Sequence, residues 1–174
     1  CEQIPESSIV VGHSLGGAII NAMVGICPEK IKKIIYISAL VPQRGEKPFD
    51  KMSKSDQREY GKAVSMRSGK LTPKTTKYFF SITDVAYKFD LTTAPKLYPE
   101  STGLNAEPVV YDQHVYDSIP KAYIFTDRDK VVSLKTQESY AIKMKISHIA
   151  TMPTGHFPML SSPELLSQEI VKLS

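Results

Sequence analysis

The stretch VVGHSLGGAII, residues Val10–Ile20, holds the pattern that decides how this chain folds. β-Branched residues at Ile9–Val11 predict a buried strand, and apolar residues at Ala18–Val24 predict a helix directly after it. The turn between them must therefore be very tight. The pattern G-x-S-x-G occupies this turn at Gly12–Gly16, where small residues let strand and helix approach and hold Ser14 in a strained conformation with its hydroxyl exposed. We interpret Ser14 as a candidate nucleophile.

Two other structures could produce a glycine-rich apolar stretch of this kind. Ile9–Cys27 is apolar enough for a membrane span, but glycines and polar residues interrupt it and neither flank is basic, which disfavours a span. A phosphate-binding loop would also join a strand to a helix, yet neither the lysine-containing pattern nor G-x-G-x-x-G is present. A nucleophile turn is favoured, provided that an acid and a base follow along the chain.

The composition predicts one globular domain, because 174 residues with 41% hydrophobic content can bury one substantial core. The net charge is only +4, and the lysines are scattered among acidic residues instead of forming a basic stripe. We therefore expect no nucleic-acid or membrane partner, and a homodimer is left open. Cys1 and Cys27 have neither metal-site spacing nor a disulfide framework, so both are predicted to be free thiols.

The start of the chain indicates processing or a fragment, because Cys1 is preceded by no methionine and followed by no signal segment. A lipid-modified Cys1 is an alternative, but the strand predicted from Ile9 leaves almost no tether. A fragment is therefore favoured. With no targeting segment visible, a cytoplasmic location is favoured.

Further strands and helices follow in the alternation of an α/β protein. Lys33–Leu40 predicts a second buried strand, and the strand–helix–strand order implies a right-handed parallel unit. Strands predicted at Lys121–Asp129 and Ser147–Pro153 flank a helix at Ser133–Lys145, and a last helix begins near Ser162, whose hydroxyl can cap it. The predicted fold class is α/β, with a doubly wound, mostly parallel sheet.

The middle of the chain has a different character, rich in lysine, proline and tyrosine without strong alternation. Ser53–Met66 predicts a polar amphipathic helix, Thr72 followed by Pro73 predicts another helix start, and TKYFFSI at residues 76–82 adds an aromatic face. A loosely ordered surface excursion is the alternative to such helices. The predicted division is a core of residues 1–41 and 119–174 with an inserted helical cap of residues 42–118.

An acid and a base follow the candidate nucleophile in the required order. A serine that performs acyl transfer needs a base to take its proton and a carboxylate to orient that base. In a parallel α/β sheet these partners lie in loops at the carboxyl ends of later strands, in the order Ser, Asp or Glu, His. Asp129 ends one predicted strand and His156 follows the next, so Ser14, Asp129 and His156 are the predicted set.

Other residues compete for both roles. Among the histidines, His13 adjoins the serine and is expected to point away from it, His148 lies inside a strand, and His114 either lines the site or faces solvent. His156 is the only one in a strand-end loop beside a glycine.

Asp127 also lies near a strand end, but the position of Asp129 before Val131 and Val132 lets that loop pack against the core, which favours Asp129. A metal pair of the two aspartates lacks further ligands nearby in sequence, so no metal is predicted.

The segments GHSLGG at Gly12–Gly17, YIFTDRDKVV at Tyr123–Val132 and TGHFPMLSSPELL at Thr154–Leu166 together resemble the α/β-hydrolase superfamily. The last segment, with IIYISALVPQRGE at Ile34–Glu46, resembles the branch of plant methylesterases, hydroxynitrile lyases and related bacterial esterases. The resemblance covers essentially the whole chain and is weakest across the predicted cap. It implies that the family's first strands, and the loop that supplies a second oxyanion donor, are absent from this sequence.

The resemblance also implies roles for individual residues. Ser14, Asp129 and His156 match the catalytic triad, the amide of Leu15 matches one oxyanion donor, and no cofactor is implied. Lyases of this branch carry a lysine directly after the catalytic histidine, whereas this chain has Phe157, which argues against cyanohydrin cleavage.

These observations predict a serine hydrolase that cleaves a small carboxylic ester through an acyl-enzyme. The alternatives are a lactonase or hydroxynitrile lyase on the same fold, and a receptor-like homologue that binds its ligand with little turnover. The residues predicted to contact substrate are His13, Phe79, Phe80, Phe157 and Met159.

Overall fold

The computed structural model describes residues 1–75, 77, 79–80, 83 and 96–174. Its strands, in chain order, are β1 (Ser8–His13), β2 (Ile31–Ile37), β3 (Val64–Arg67), β4 (Lys70–Pro73), β5 (Glu100–Ser101), β6 (Lys121–Thr126) and β7 (His148–Met152). The α-helices are α1 (Gly16–Val24), α2 (Lys54–Ala63), α3 (Gly103–Ala106), α4 (Gln113–Ser118), α5 (Leu134–Lys143), α6 (Pro158–Ser161) and α7 (Pro163–Leu173). Short 3-10 helices lie at Pro28–Lys30 and Pro48–Lys51.

Four parallel strands form the main sheet, in the order β1-β2-β6-β7. The central strands β2 and β6 are almost entirely buried, as expected for parallel strands rich in isoleucine and aromatic residues. The predicted α/β class with a parallel sheet is therefore confirmed. Because the strands are parallel, their carboxyl ends meet at one edge of the sheet, where the loops that follow them can share a site.

The two faces of this sheet bury separate hydrophobic clusters. Along β2, Ile34 and Tyr36 face the larger cluster, which includes residues of α1 and α5, whereas Ile35 and Ile37 face the smaller one. This alternation follows from the two-residue period of a strand. Leu166 of α7 packs in the smaller cluster, so helices cover both faces.

A second, antiparallel sheet of three strands lies within residues 42–118, in the order β3-β4-β5. The predicted helix at Ser53–Met66 starts correctly, because Ser53 accepts a capping hydrogen bond from the Asp56 amide, but it ends at Ala63. The helix start predicted at Thr72 and Pro73 is wrong, since both residues lie in β4. Residues 42–118 therefore contain strands as well as helices, which differs from the predicted cap of helices alone.

A hairpin turn joins β3 to β4 in the region where the sequence predicted the start of a helix. Ser68 and Gly69 both adopt positive φ angles, 47° and 71°, which a two-residue turn between antiparallel strands requires. The predicted aromatic face at residues 76–82 lies largely outside the described residues.

Cys1 and Cys27 form a disulfide, with their Cα atoms 6.1 Å apart, so the prediction of free thiols is wrong. Strand β1 leads directly into helix α1, and after α1 the chain comes back to the segment that precedes β1. This return brings together two cysteines that are 26 positions apart in sequence.

Two further observations concern the edges of the molecule. Ser162 precedes α7, but its hydroxyl makes no capping hydrogen bond, which differs from the prediction. The strand β1 lies at one edge of the main sheet, and Val11 within it is 43% exposed. In the described part of the chain, no helix is both long and apolar enough to cross a membrane.

Candidate active site

Ser14 lies in the turn between β1 and α1 with a φ angle of 54°. Such an angle is unfavourable for a residue with a Cβ and persists only where the surroundings impose it. Here the Ser14 amide donates to the Ile37 carbonyl at 3.2 Å, and the Ser14 carbonyl accepts from the amides of Leu40 at 2.9 Å and Gly17 at 3.2 Å. These backbone bonds hold the serine at the carboxyl end of β1.

The glycines around Ser14 have different structural roles. A Cβ on Gly12 would lie 2.6 Å from Ile20 Cδ1, and one on Gly17 would lie 2.5 Å from the Leu40 carbonyl oxygen. A Cβ on Gly16 would meet nothing within 4 Å. The close approach of α1 to the sheet therefore depends on Gly12 and Gly17. Gly17 lies outside the G-x-S-x-G pattern, and its only signal in the sequence is a further glycine in the first helical turn.

The structure brings Ser14, His156 and Asp129 into one chain of hydrogen bonds. His156 Nε2 lies 2.9 Å from Ser14 Oγ, and His156 Nδ1 lies 2.7 Å from Asp129 Oδ2. His156 and Asp129 are both buried, with 3% and 6% of their surfaces exposed. With the proton on Nδ1, the imidazole donates to the carboxylate and presents Nε2 as an acceptor for the serine hydroxyl.

Asp129 is held in place by the loop that follows β6. Its Oδ1 accepts from the amides of Val131 at 2.7 Å and Val132 at 2.9 Å, and its Oδ2 accepts from Thr126 Oγ1 at 3.2 Å. Asp127, the competing acid, is exposed, and its Oδ1 lies 3.9 Å from Arg128 Nε.

Gln137 in α5 supports the same loop, and sequence analysis did not identify it. Its Oε1 accepts from the Thr126 amide at 3.0 Å, and its Nε2 donates to the carbonyls of Thr126 at 3.1 Å and Val132 at 2.7 Å. The side chain is fully buried. Nothing in the sequence separates it from the solvent-facing polar residues of the same helix.

His13 packs against His156, although sequence analysis expected it to point away from Ser14. Its Nε2 donates to the His156 carbonyl oxygen at 2.6 Å, and the two ring centroids are 4.7 Å apart. Burial, together with the charge that His156 can carry, lowers the pKa of His13 to about 3. His13 is therefore neutral at physiological pH. The other two histidines, His114 in α4 and His148 in β7, are exposed.

A pocket of about 240 Å³ opens beside Ser14 and His156. Of the predicted contact residues, it is lined by His13, Phe79 and Phe157. Phe80 is buried with its ring 6.1 Å from that of Phe157, and Met159 packs against the core cluster on the opposite face of the sheet. The further lining residues are Leu15, Gly16, Ile19, Leu40, Phe49, Met52, Tyr60, Glu100, Leu104, Val131 and Val132.

Leu15 lies directly before α1 and lines this pocket. The amides at the start of a helix have no intrahelical partner, and the helix dipole adds partial positive charge there. An amide in this position can donate to an oxygen that becomes negative during a reaction at Ser14.

The chain is similar to known proteins along almost its whole length. Over 181 residues, the chain is 28% identical to probable hydrolase R7 of Phoma sp., covering 97% of this chain and 70% of that protein. Over 192 residues it is 27% identical to methyl jasmonate esterase 1 of Vitis vinifera, covering 96% and 71%. The structure of a pyrethroid hydrolase from Sphingobium faniae JZ-2 superposes with a TM-score of 0.81 at 20% identity, covering 98% of this chain and 72% of that one.

The profile of the alpha/beta hydrolase family matches residues 2–169, which is nearly the whole chain. Methylesterases recur among its curated relatives. The chain therefore belongs to the α/β-hydrolase family, and it is similar to methylesterases.

Proposed function

We propose that the protein is a serine hydrolase that cleaves a small carboxylic ester through an acyl-enzyme. The observation that carries this proposal is the chain of hydrogen bonds from Ser14 through His156 to Asp129 at one wall of a mainly apolar pocket. The similarity to proteins named as esterases supports it.

In the first half of the reaction, Ser14 Oγ attacks the ester carbonyl carbon while His156 Nε2 takes the hydroxyl proton. Asp129 stabilises the imidazolium that forms, and the Leu15 amide donates to the carbonyl oxygen as it becomes negative. The C–O bond of the ester then breaks, and His156 returns the proton to the departing alcohol. The acyl group remains bonded to Ser14.

In the second half, a water molecule attacks the acyl carbon, and His156 takes one of its protons. The bond to Ser14 Oγ breaks, the proton returns to the serine, and the carboxylic acid leaves. The net reaction converts one ester and one water into one acid and one alcohol. All of the required proton transfers pass through His156.

The pocket walls support a substrate with a modest apolar group. Phe79 and Phe157 lie with ring centroids 6.0 Å apart, and Phe49 and Met52 line the same space. Phe49, Met52 and Phe79 belong to residues 42–118, which we propose act as the cap that selects substrate.

This proposed cap is fixed to the core by a buried carboxylate. Asp56 in α2 accepts from Ser133 Oγ at 3.0 Å and from Thr136 Oγ1 at 2.6 Å, both at the start of α5. The Ser133 amide also donates to Asp56 at 3.2 Å, and Asp56 is 4% exposed, so breaking all three bonds would leave a buried carboxyl group without donors. The pocket wall that α2 provides is therefore held firmly against the core.

A fluorophosphonate probe tests the nucleophile. The probe should label the unmodified protein at Ser14 and should fail to label the Ser14→Ala variant. Ser7→Ala is the matched control, because Ser7 is exposed and also has a positive φ angle, 60°. Labelling that survives in Ser14→Ala would overturn the proposal.

Turnover of a short-chain aryl ester tests whether the protein is an enzyme. Continuous release of the phenol, lost in Ser14→Ala, is expected. A single burst equal to the protein concentration, followed by no further release, would instead indicate a receptor-like homologue.

A further inference from the structure

Glu100 gives the pocket a negative charge. Among the described residues that line the pocket, it is the one carboxylate, and none of them is a lysine or an arginine. His13, which lines the same space, is neutral because of its lowered pKa. No lysine or arginine among the described residues lines this pocket to offset the carboxylate.

Glu100 lines both this pocket and a neighbouring cavity of about 250 Å³. The two spaces share four lining residues, Tyr60, Phe79, Glu100 and Phe157. Phe157 directly follows His156, and their ring centroids are 5.3 Å apart. A substrate group that extends from Ser14 toward Phe157 would therefore lie in a pocket that the Glu100 side chain also lines.

The electrostatic influence of Glu100 reaches the pocket wall. Burial raises the pKa of the Tyr60 hydroxyl, and the negative charge of Glu100 raises that pKa further. Lys96 lines the neighbouring cavity, and its ammonium lies over the Tyr98 ring, 5.3 Å from the centroid. The carboxylate thus acts on Tyr60 in the pocket beside Ser14, whereas Lys96 lines only the neighbouring cavity.

We infer that Glu100 selects substrates by charge, so that the site prefers an ester with a cationic group at this junction to a neutral ester of the same shape, and disfavours an anionic one. This inference rests on the proposed function and assigns it a substrate class: small esters that are neutral or cationic.

The expected effect is moderate because Glu100 is exposed. Charge pairs near a surface contribute up to about 1 kcal/mol, which corresponds to a change in affinity of about fivefold. The preference should weaken as salt is added, since ions screen partly exposed charges.

Esters of different charge test the inference on both sides of the scissile bond, and the neutral and cationic members of each series have the same shape. On the acyl side, the substrates are the 4-nitrophenyl esters of 4,4-dimethylpentanoate, 3-(trimethylammonio)propanoate and hydrogen glutarate. On the alcohol side, they are 3,3-dimethylbutyl acetate and acetylcholine. In one series or both, kcat/KM should be higher for the cationic than for the neutral ester, and a preference on the acyl side should also make kcat/KM lowest for the anionic ester. The Glu100→Gln variant should reduce the cationic-to-neutral ratio of kcat/KM about two- to fivefold.

Glu164→Gln is the matched control, because Glu164 is exposed in α7 and makes no contribution to the pocket lining. It should leave both ratios unchanged. Ratios that are the same in Glu100→Gln and in the unmodified protein, in both series, would overturn the inference.

A binding measurement separates this result from failure of the proposed function. In the Ser14→Ala background, ligand-observed NMR gives dissociation constants for 3,3-dimethylbutyl acetate and acetylcholine without cleavage. If no ester is turned over, the proposed function is wrong. In that case the charge preference is supported if Glu100→Gln weakens the binding of acetylcholine about two- to fivefold relative to the binding of 3,3-dimethylbutyl acetate. It is wrong if the two dissociation constants change equally.

Discussion

Asp129 and Asp127 are two positions apart and have opposite surroundings. Asp129 is buried and accepts four hydrogen bonds, one of them from His156, whereas Asp127 is exposed beside Arg128. Asp129→Asn should therefore lower kcat by about 10⁴-fold, because an amide cannot hold the imidazole in the tautomer that accepts the serine proton. Steady-state kinetics with an aryl ester measures this loss.

Asp127→Asn is the control for this prediction, since it makes the same chemical change on the exposed side of the loop. It should leave kcat within about twofold, as expected for a surface substitution. Equal losses in the two variants would show that Asp129 does not have the role proposed for it.

His13 should make the stability of the fold depend on pH. Its pKa is lowered from 6.5 to about 3 in the fold, so the unfolded chain binds a proton that the folded chain rejects between these values. The contribution of neutral His13 is therefore complete above about pH 6.5 and is lost as the pH falls toward about 3. In urea titrations, the stability advantage of the unmodified protein over His13→Gln should shrink between about pH 7 and about pH 5.

Glutamine suits this comparison because its side-chain amide can still donate to the His156 carbonyl but does not titrate. Other groups titrate equally in both proteins, so only the difference between the two curves is interpreted. A difference that is constant across this pH range would contradict the lowered pKa of His13.

At the scale of secondary-structure elements, α1 lies so close to the loop after β2 that one added methyl group should disturb their packing. Gly17→Ala would place a Cβ 2.5 Å from the Leu40 carbonyl oxygen, so the helix must shift. We expect a loss of about 1–3 kcal/mol in the free energy of unfolding. Urea denaturation measures this loss.

Gly16→Ala provides the matched comparison, because its new methyl group meets nothing within 4 Å. Replacing a helical glycine with alanine at an open position should stabilise the fold by up to about 1 kcal/mol. If both variants lose stability equally, close packing at Gly17 is not the cause.

The main-sheet elements could be predicted from the sequence because each one carries its own signal. Apolar runs bounded by turn residues marked β2, β6 and β7 to within a few residues. The antiparallel strands β3 and β4 have no comparable run, since only Val64 and Leu71 among their residues are buried. The Ser-Gly pair between these strands was the available signal, because such pairs mark turns.

The sequence could predict only those residues of the candidate site whose position follows from the order of the strands along the chain. Ser14, Asp129 and His156 each follow a strand, and parallel strands bring such positions together. The contacts of His13 and Gln137 depend on side-chain packing between elements that are distant in sequence, which no local pattern records. The disulfide was missed for the same reason.

At the scale of the whole molecule, the free side of β1 should promote self-association. This strand pairs with β2 on one side, and no strand in the described part of the chain pairs with the other. Two apolar side chains add exposed surface to this part of the chain: Val11 in β1 exposes 43% of its surface, and Ile19 in α1 exposes 45%. Unpaired strand edges beside apolar surface are common sites of association. Sedimentation velocity of the 174-residue chain should show species larger than a monomer.

Val11→Lys should shift this distribution toward the monomer, because a charge on an edge strand opposes pairing with another chain. Ile142→Lys is the control, since Ile142 is also exposed but lies in the helix α5. A monomer at all concentrations in the unmodified chain would contradict the prediction.

The disulfide between Cys1 and Cys27 closes a covalent ring that contains Ser14. A single backbone cut inside this ring leaves both pieces joined, so the serine stays attached to the rest of the chain until a reductant opens the ring. Lys30 is the first lysine or arginine among these 174 residues, so trypsin acting on the 174-residue chain releases residues 1–30 as one peptide. The mass of that peptide reports two properties at once: it is lighter by two hydrogen atoms when the ring is closed, and heavier by the probe when Ser14 has reacted.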